Sequence, residues 1–165
     1  MFLVKSSGSI PPCPKCGGSL HHRDSRRRIR KKEGGEKQIL MIRRLRCEHC
    51  HSHHNELPDC LVPFKHYESE VISGVIDGYV KPEDTDSEDY PCMETMRRWI
   101  SWFQKNKDNL EGFLQNSARC ILDFKDQELL FHESLLVSIR NKYQNWLEIC
   151  LRIVYNSGGF LLSFW

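Results

Sequence analysis

The sequence lacks a secretory signal: Met1-Phe2-Leu3-Val4 is a brief apolar start that meets Lys5 and then Ser6-Ser7-Gly8-Ser9. It also lacks an apolar run long enough to span a bilayer. Both absences point to a cytoplasmic protein with no membrane partner, whose eight cysteines are thiols in a reducing compartment and not a disulfide framework. A third absence concerns chemistry. A nuclease or an active transposase needs carboxylates that hold two divalent ions in a folded core. Here no strand-borne aspartate is recognisable, and the acids Glu83, Asp84, Asp86, Glu88 and Asp89 crowd one loop from Lys81 to Asp89. The expectation is a binding protein and not an enzyme. Acid is also scarce between His21 and Arg46, where eleven basic residues face three acids; that stretch carries +8 and leaves −6 for the rest of the chain. Such a stretch suits a polyanionic partner.

What is present is led by two Cys-x-x-Cys pairs, Cys13-Pro14-Lys15-Cys16-Gly17-Gly18 and Cys47-Glu48-His49-Cys50. A two-residue spacer lets the backbone turn tightly enough for both thiolates of a pair to reach one ion, and four sulfurs complete a tetrahedral zinc site. Gly17 supplies the positive φ that such a knuckle needs. The expected cofactor is one structural zinc held by Cys13, Cys16, Cys47 and Cys50. At 165 residues the chain fits one ordinary domain or two small ones, and the stretch from Cys13 to Cys50 is too short to bury a sufficient core without a metal. Cys60, Cys92, Cys120 and Cys150 stand singly and read as small buried hydrophobes.

Between the pairs, Ser19 to Lys32 fits an exposed strand, Gly34-Gly35 a hairpin turn, and Gln38 to Arg46 the return strand. The residues expected to meet phosphates are Arg26, Arg27, Arg28, Arg30, Lys31, Lys32, Arg43, Arg44 and Arg46. His49, His51, His53 and His54 follow the second pair closely; one could compete with a thiolate, and the plainer expectation is exposed polar residues beside a complete site. His21 and His22 read the same way. Glu56 to Tyr67, with Pro58 and Pro63, reads as an extended strap packed on the hairpin. A short helix is expected from Tyr67 to Asp77, burying Val71, Ile72, Val75 and Ile76 and stopping at Gly78.

Pro91 can open the next helix, from Met93 to Lys105. Met93, Met96, Ile100 and Phe103 form its buried stripe, with Thr95, Arg98, Trp102 and Lys105 elsewhere on the surface. Asp108 with Glu111 has the form of a capping box for a further helix through Leu110, Phe113, Leu114, Ser117 and Ile121. One longer helix is expected from about Gln127 to Tyr155, with Leu135, Leu136, Ile139, Tyr143, Trp146, Leu147, Cys150 and Val154 on one face and Asn156-Ser157-Gly158-Gly159 as its stop. That stripe is wider than a coiled-coil seam and fits the chain's own core; a homodimer through this helix would instead suit paired DNA half-sites.

The Cys13 to Gly18 and Arg43 to Cys50 motifs, with His54-Asn55-Glu56-Leu57-Pro58-Asp59 and Pro63-Phe64-Lys65-His66-Tyr67, resemble a bacterial family, mainly of Gram-positive species, that carries a domain of unknown function. That family is similar to the zinc-ribbon and helix-turn-helix front end of insertion-sequence transposases. The resemblance covers roughly Pro12 to Phe103. It implies that the segment Thr95-Met96-Arg97-Arg98-Trp99 occupies the DNA-binding helix, so that Thr95, Arg97, Arg98 and Lys105 join the nucleic-acid residues. The sequence departs from it at Cys60, at Cys92 where a capping Ser or Thr is expected, and in the long acidic loop.

The fold expected is therefore a small α+β protein: an N-terminal zinc-ribbon β-hairpin, then a mostly α-helical region. Its divisions are an arm at 1–12, the ribbon and strap at 13–65, a helix-turn-helix-like segment at 66–106 with the acidic loop at 78–90, and a helical region at 107–165. The expected function is zinc-dependent binding of double-stranded DNA, transposase-related or regulatory. RNA binding, a protein-interaction ribbon, a truncated transposase or nuclease, and redox sensing by the cysteine pairs are the alternatives.

Overall fold

The long basic hairpin forms as expected. In a computed structural model that describes residues 2–5, 10–84, 91–121 and 134–163, strand β2 (Leu20–Lys31) and strand β3 (Lys37–Cys47) pair antiparallel from Leu20↔Cys47 to Lys31↔Lys37. A bulge between His22 and Asp24 shifts the register. A single 3-10 turn, Glu33–Gly35, reverses the chain, with Gly34 at φ 79 and Gly35 at φ 71, a region open to glycine at little cost.

Two further strands complete the sheet. The arm contributes β1 (Phe2–Lys5), and the stretch after the second cysteine pair contributes β4 (His53–Pro58). The order is β1-β4-β3-β2, with β4 antiparallel to β3 and β1 parallel to β4. Leu3 and Val4 are fully buried, so these arm residues are an integral strand. The outer edge of β1 is closed by Asn156, whose side chain donates to the Val4 carbonyl (3.1 Å) and accepts from the Val4 N–H (3.0 Å).

Four helices pack on one another among the described residues, and the sheet joins them through β1, whose Val4 and Phe2 enter the helical core. Helix α1 (Ser69–Ile76) buries Val71, Ile72 and Val75 and ends at Gly78 with φ 78, as its sequence predicts. Helix α2 (Met93–Ile121) runs unbroken for 29 residues, through the position where a second helix was expected to begin. Where the break was expected, Asn106 is buried, donates to the Trp102 carbonyl one turn back (2.8 Å), and brackets the backbone of Leu162. Glu111, expected in a capping box of its own helix, caps a different one. Its carboxylate accepts from Ser134 Oγ and from the amides of Leu135 and Leu136, at the start of α3 (Leu135–Lys142).

The single long C-terminal helix is in fact two. Helix α3 stops at Tyr143, which is extended at φ −126, and α4 (Trp146–Asn156) begins after Asn145; the expected start near Gln127 lies outside the described residues. The break lets Trp146 turn inward, where its Nε1 donates to Asp77 (2.9 Å) and its ring meets Phe103 edge-on. Leu136, Trp146, Leu147, Cys150, Leu151 and Val154 then pack with α1 and α2 residues into the main core. Each such large side chain contributes about 2 kcal/mol by leaving water. The expected apolar stripe is thus spent on the chain's own interior except at Tyr143, which stands at the break and is 43 % exposed.

Candidate functional site

The two cysteine pairs converge at the base of the hairpin. The Cys13–Gly18 loop closes on itself through Gly17 N–H to the Cys13 carbonyl (2.7 Å) and Cys13 N–H to the Gly18 carbonyl (2.8 Å). Gly17 sits at φ 74, and His51, one residue after Cys50 as Gly17 is after Cys16, repeats the positive φ at 55. A Cβ on Gly18 would lie 2.9 Å from the His49 ring and 3.1 Å from Cys47 Sγ, so the second pair packs onto the bare backbone of the first. Glu48 N–H donates to the Ser19 carbonyl (3.1 Å), joining the two loops directly.

The four sulfurs lie within 4.8 Å of one another. Cys13 to Cys50 is 3.7 Å and Cys16 to Cys47 is 3.5 Å, each contact linking one pair to the other. A tetrahedral site with metal–sulfur bonds of about 2.3 Å needs sulfurs about 3.8 Å apart, so the arrangement could hold a metal ion. Its electrostatics point the same way. Hydrogen bonds from the Ser52 hydroxyl and amide hold the Cys50 thiol down at about 6. The Gly18 amide favours the Cys16 thiolate as well, yet the neighbouring sulfurs of Cys50 and Cys47 push Cys16 up to about 12. Clustered thiolates repel one another, and a central cation removes that penalty.

His54 is the residue that sequence reasoning missed. Expected to be exposed, it is 1 % exposed on β4, opposite Leu45, and its Nε2 lies 3.3 Å from Cys13 Sγ. Burial holds its pKa below the usual imidazole range. A neutral ring whose Nε2–H donates to Cys13 leaves Nδ1 without a hydrogen, and Nδ1 is buried with no partner. Such a donor orients a ligand from outside the coordination shell. The other histidines behave as expected of polar neighbours: His49 and His51 are exposed, His53 meets Arg23 (3.0 Å), and His21 meets Glu48 (3.7 Å). Among the single cysteines, Cys150 is buried, Cys60 is partly buried and Cys92 is exposed at the start of α2 beside Thr95 (3.3 Å).

The basic residues divide into two groups. Arg43 makes a two-pronged bond to the buried Glu56 (2.6 and 2.9 Å), Arg44 pairs with Asp24 and Arg30 with Glu68, while Lys32 meets Glu36 (3.5 Å). These carboxylates neutralise much of the hairpin's formal charge, and two of them, Glu56 and Glu68, come from outside the basic stretch. Arg26, Arg27, Arg46 and Lys37 are exposed and have no ion pair among the described residues. Arg28 donates to the Lys65 carbonyl (2.8 Å), and Lys31 lies over the Tyr67 ring. On α2, Arg97 and Arg98 are exposed and paired with Glu83 (3.1 Å) and Glu94 (3.3 Å), and Lys105 is exposed. Trp102, expected on the surface, is 4 % exposed and under Lys65, whereas Met93, expected in the stripe, is 42 % exposed.

A family model for a domain of unknown function (DUF6431) matches residues 13–99, more than half of the chain. The chain belongs to that family. The DUF6431 segment opens on Cys13 and closes on Trp99, taking in the sulfur cluster, β2 to β4, α1 and the first turns of α2. No curated protein and no solved structure matches the chain. Among the described residues no helix is long and apolar enough to cross a membrane.

Proposed function

We propose that this chain is a zinc-fixed nucleic-acid-binding protein, not an enzyme, in which one zinc ion held by Cys13, Cys16, Cys47 and Cys50 sets the base of a hairpin that grips the phosphate backbone of double-stranded DNA. The observation that carries it is the coincidence of a four-sulfur cluster with exposed cations, Arg26, Arg27, Arg46 and Lys37, that have no ion pair among the described residues, on the two strands that cluster joins. Zinc fits because four soft sulfur donors in a closed set satisfy a structural tetrahedral site. Arginine and lysine on a rigid ribbon meet phosphates without reading sequence. Any base contacts come from the outward face of α2 near Arg97, Arg98 and Lys105. In this reading the resemblance to transposase front ends reflects a shared DNA-binding module, in a regulator or a mobile-element protein.

The test is binding of the zinc-loaded chain to a duplex of arbitrary sequence over a range of salt. Affinity should fall steeply, with a log–log slope near −0.9 for each phosphate neutralised; binding indifferent to salt, or no binding, would refute the reading. A single-stranded RNA competitor separates the nucleic acids. A second reading, a protein-interaction ribbon, draws on Ile29, Ile39 and Met41, which are 42, 66 and 62 % exposed, with Ile29 opposite Ile39 and Met41 opposite Arg27. Ile39→Ser with Met41→Ser should leave duplex binding intact if DNA is the partner.

A further inference from the structure

Near the hairpin base, the sheet face turned away from the sulfur cluster carries a charge pattern that the formal sum hides. On β3 and β4, Leu45 and His54 lie opposite one another, both are buried, and His54 reaches Cys13. Alternation therefore turns Arg46 and His53, also opposite one another, to the other face. His21 of β2 extends that row beyond Arg46, and the next row on the same face is Asp24, Arg44 and Asn55 across β2, β3 and β4. The bulge between His22 and Asp24 adds one more side chain. It makes Arg23 the extra residue, so that two consecutive residues serve one face, which strict alternation forbids. Asp24 pairs with Arg44, and Arg23 reaches across β3 to His53, with its Nη1 3.0 Å from the ring Nε2.

These groups converge on His53. A guanidinium can only donate, so His53 Nε2 accepts and the imidazole is neutral, with its hydrogen on Nδ1. Partial loss of water, then the charges of Arg23, Arg46 and Arg44, hold its pKa below the usual imidazole range, with Asp24 acting the other way. Asp24 is already shared: Arg44 grips it with two nitrogens, and Arg23 Nε stands 3.8 Å from it. Arg46 has no ion pair among the described residues, and Glu48, just past β3, meets His21 (3.7 Å). Three arginines thus share one carboxylate on an open surface, and like charges set side by side on a sheet repel. Sequence alone places Arg44 and Arg46 in a uniform basic stretch and His53 among polar neighbours of the cysteines. The bulge and the pairing of β3 with β4 bring them to one place.

We propose that Arg23, Arg44, Arg46 and His53 form a binding site for a phosphate group on this face of the sheet. A phosphate supplies the negative charge and the several acceptors that three guanidinium forks lack here, and the Nδ1–H of His53 offers a further donor. Asp24 competes with it for Arg44 and Arg23. The site rests on the nucleic-acid reading only for the source of the phosphate, which under that reading is the duplex backbone.

The test uses the full zinc-loaded chain in two arms. In the first, inorganic phosphate is titrated at constant ionic strength while the His53 ring is followed by NMR. In the second, the salt dependence of duplex binding is measured. Arg23→Gln and Arg46→Gln each remove one exposed guanidinium, Asp24→Asn removes the competing charge, and Lys142→Gln removes an exposed positive charge on α3, away from the sheet. Phosphate should shift His53 saturably in the wild type, and with the same midpoint in Lys142→Gln. The midpoint should rise about tenfold in Arg23→Gln and in Arg46→Gln, each losing a charge-assisted hydrogen bond, and should fall in Asp24→Asn. The duplex slope should flatten by about 0.9 in Arg23→Gln, whose arginine the duplex reading by itself does not need. No saturable response in the wild type, or midpoints unchanged in both arginine variants, overturns the site. If the duplex binds with salt dependence while His53 ignores phosphate and Arg23→Gln keeps the wild-type slope, the site falls and the nucleic-acid reading stands. If His53 responds as expected but no duplex binds, the site stands and that reading falls.

Discussion

The hairpin β2–β3 is held differently at its two ends. At its base, Leu20 and Cys47 hand over to two loops that bring four sulfurs within 4.8 Å of one another. At its tip, Lys31 exchanges backbone bonds with His66 and Glu68, Arg30 pairs with Glu68, and Lys31 rests on Tyr67, which packs edge-on against Trp99 of α2. The base is thus a cluster of sulfurs that could hold a metal ion, and the tip is a packed corner. A small apolar cluster, Ile42, Leu57 and Leu61, lies between them, while the large core belongs to the helices. Two strands this polar would not hold their shape from burial alone, so each end needs its own anchor.

Metal removal is the sharpest way to break that symmetry. Binding of a structural zinc contributes on the order of 10 kcal/mol to folding of the segment that holds it. Chelation, or Cys47→Ser, should therefore release residues 13–24 and 44–54 while the tip and the helices stay folded. Hydrogen exchange would show protection lost at the base and kept in α2 and α4; protection kept throughout, in protein that metal analysis shows to be metal-free, would sink the metal-anchored base.

The reverse experiment loosens the tip. Glu68→Gln leaves Arg30, whose side chain is 26 % exposed, without its counter-charge. Breaking one partner of such a pair costs about 3 kcal/mol, so denaturant midpoints should fall while zinc affinity stays unchanged. Equal loss at both ends would mean that the hairpin behaves as one unit. Smaller still is the effect of His54→Phe, which keeps a ring on β4 and removes the donor to Cys13. Outer-shell losses of this kind weaken metal binding by about 10- to 100-fold. Competition with a chromophoric chelator measures it, and unchanged affinity would reduce His54 to a packing residue.

The same contrast explains what could be read from the sequence. The cysteine spacing, Gly17, the hairpin turn and α1 were legible because each is local: a loop, a turn or one helical face. Strands β1 and β4 were not, because His53 to Pro58 has little strand character of its own and is made a strand by β3 on one side and β1 on the other. His54 looked like one of several polar histidines, since its burial is decided by Cys13, 41 positions away. The hairpin's charge was legible as a sum and illegible as a distribution: Glu56 and Glu68, which quench Arg43 and Arg30, are distant in the chain. Trp102 lies inside, in the main core and under Lys65, and the break at Tyr143 is followed by Trp146, which reaches Asp77; both are contacts between segments distant in the chain.

The smallest expected effect separates the helical body from the metal by their response to acid. Glu111 accepts three hydrogen bonds at the start of α3, from Ser134 (2.6 Å), Leu135 (2.9 Å) and Leu136 (3.0 Å). Burial would raise its pKa, but these donors outweigh burial and hold the carboxyl below its usual 4.5. A depressed folded-state pKa means that this contribution is complete above about 4.5 and is lost as pH falls through the lower folded value. Glu111→Gln should cost about 1 kcal/mol near neutrality, the usual worth of a helix cap, and that cost should vanish in acid, where the wild-type carboxyl is protonated too. Zinc release also depends on acid, because thiolates must be deprotonated to bind. In Glu111→Gln the helical melting transition should lose this part of its pH dependence while the pH of zinc release stays put. A shift of both together would show that the base and the helices unfold as one.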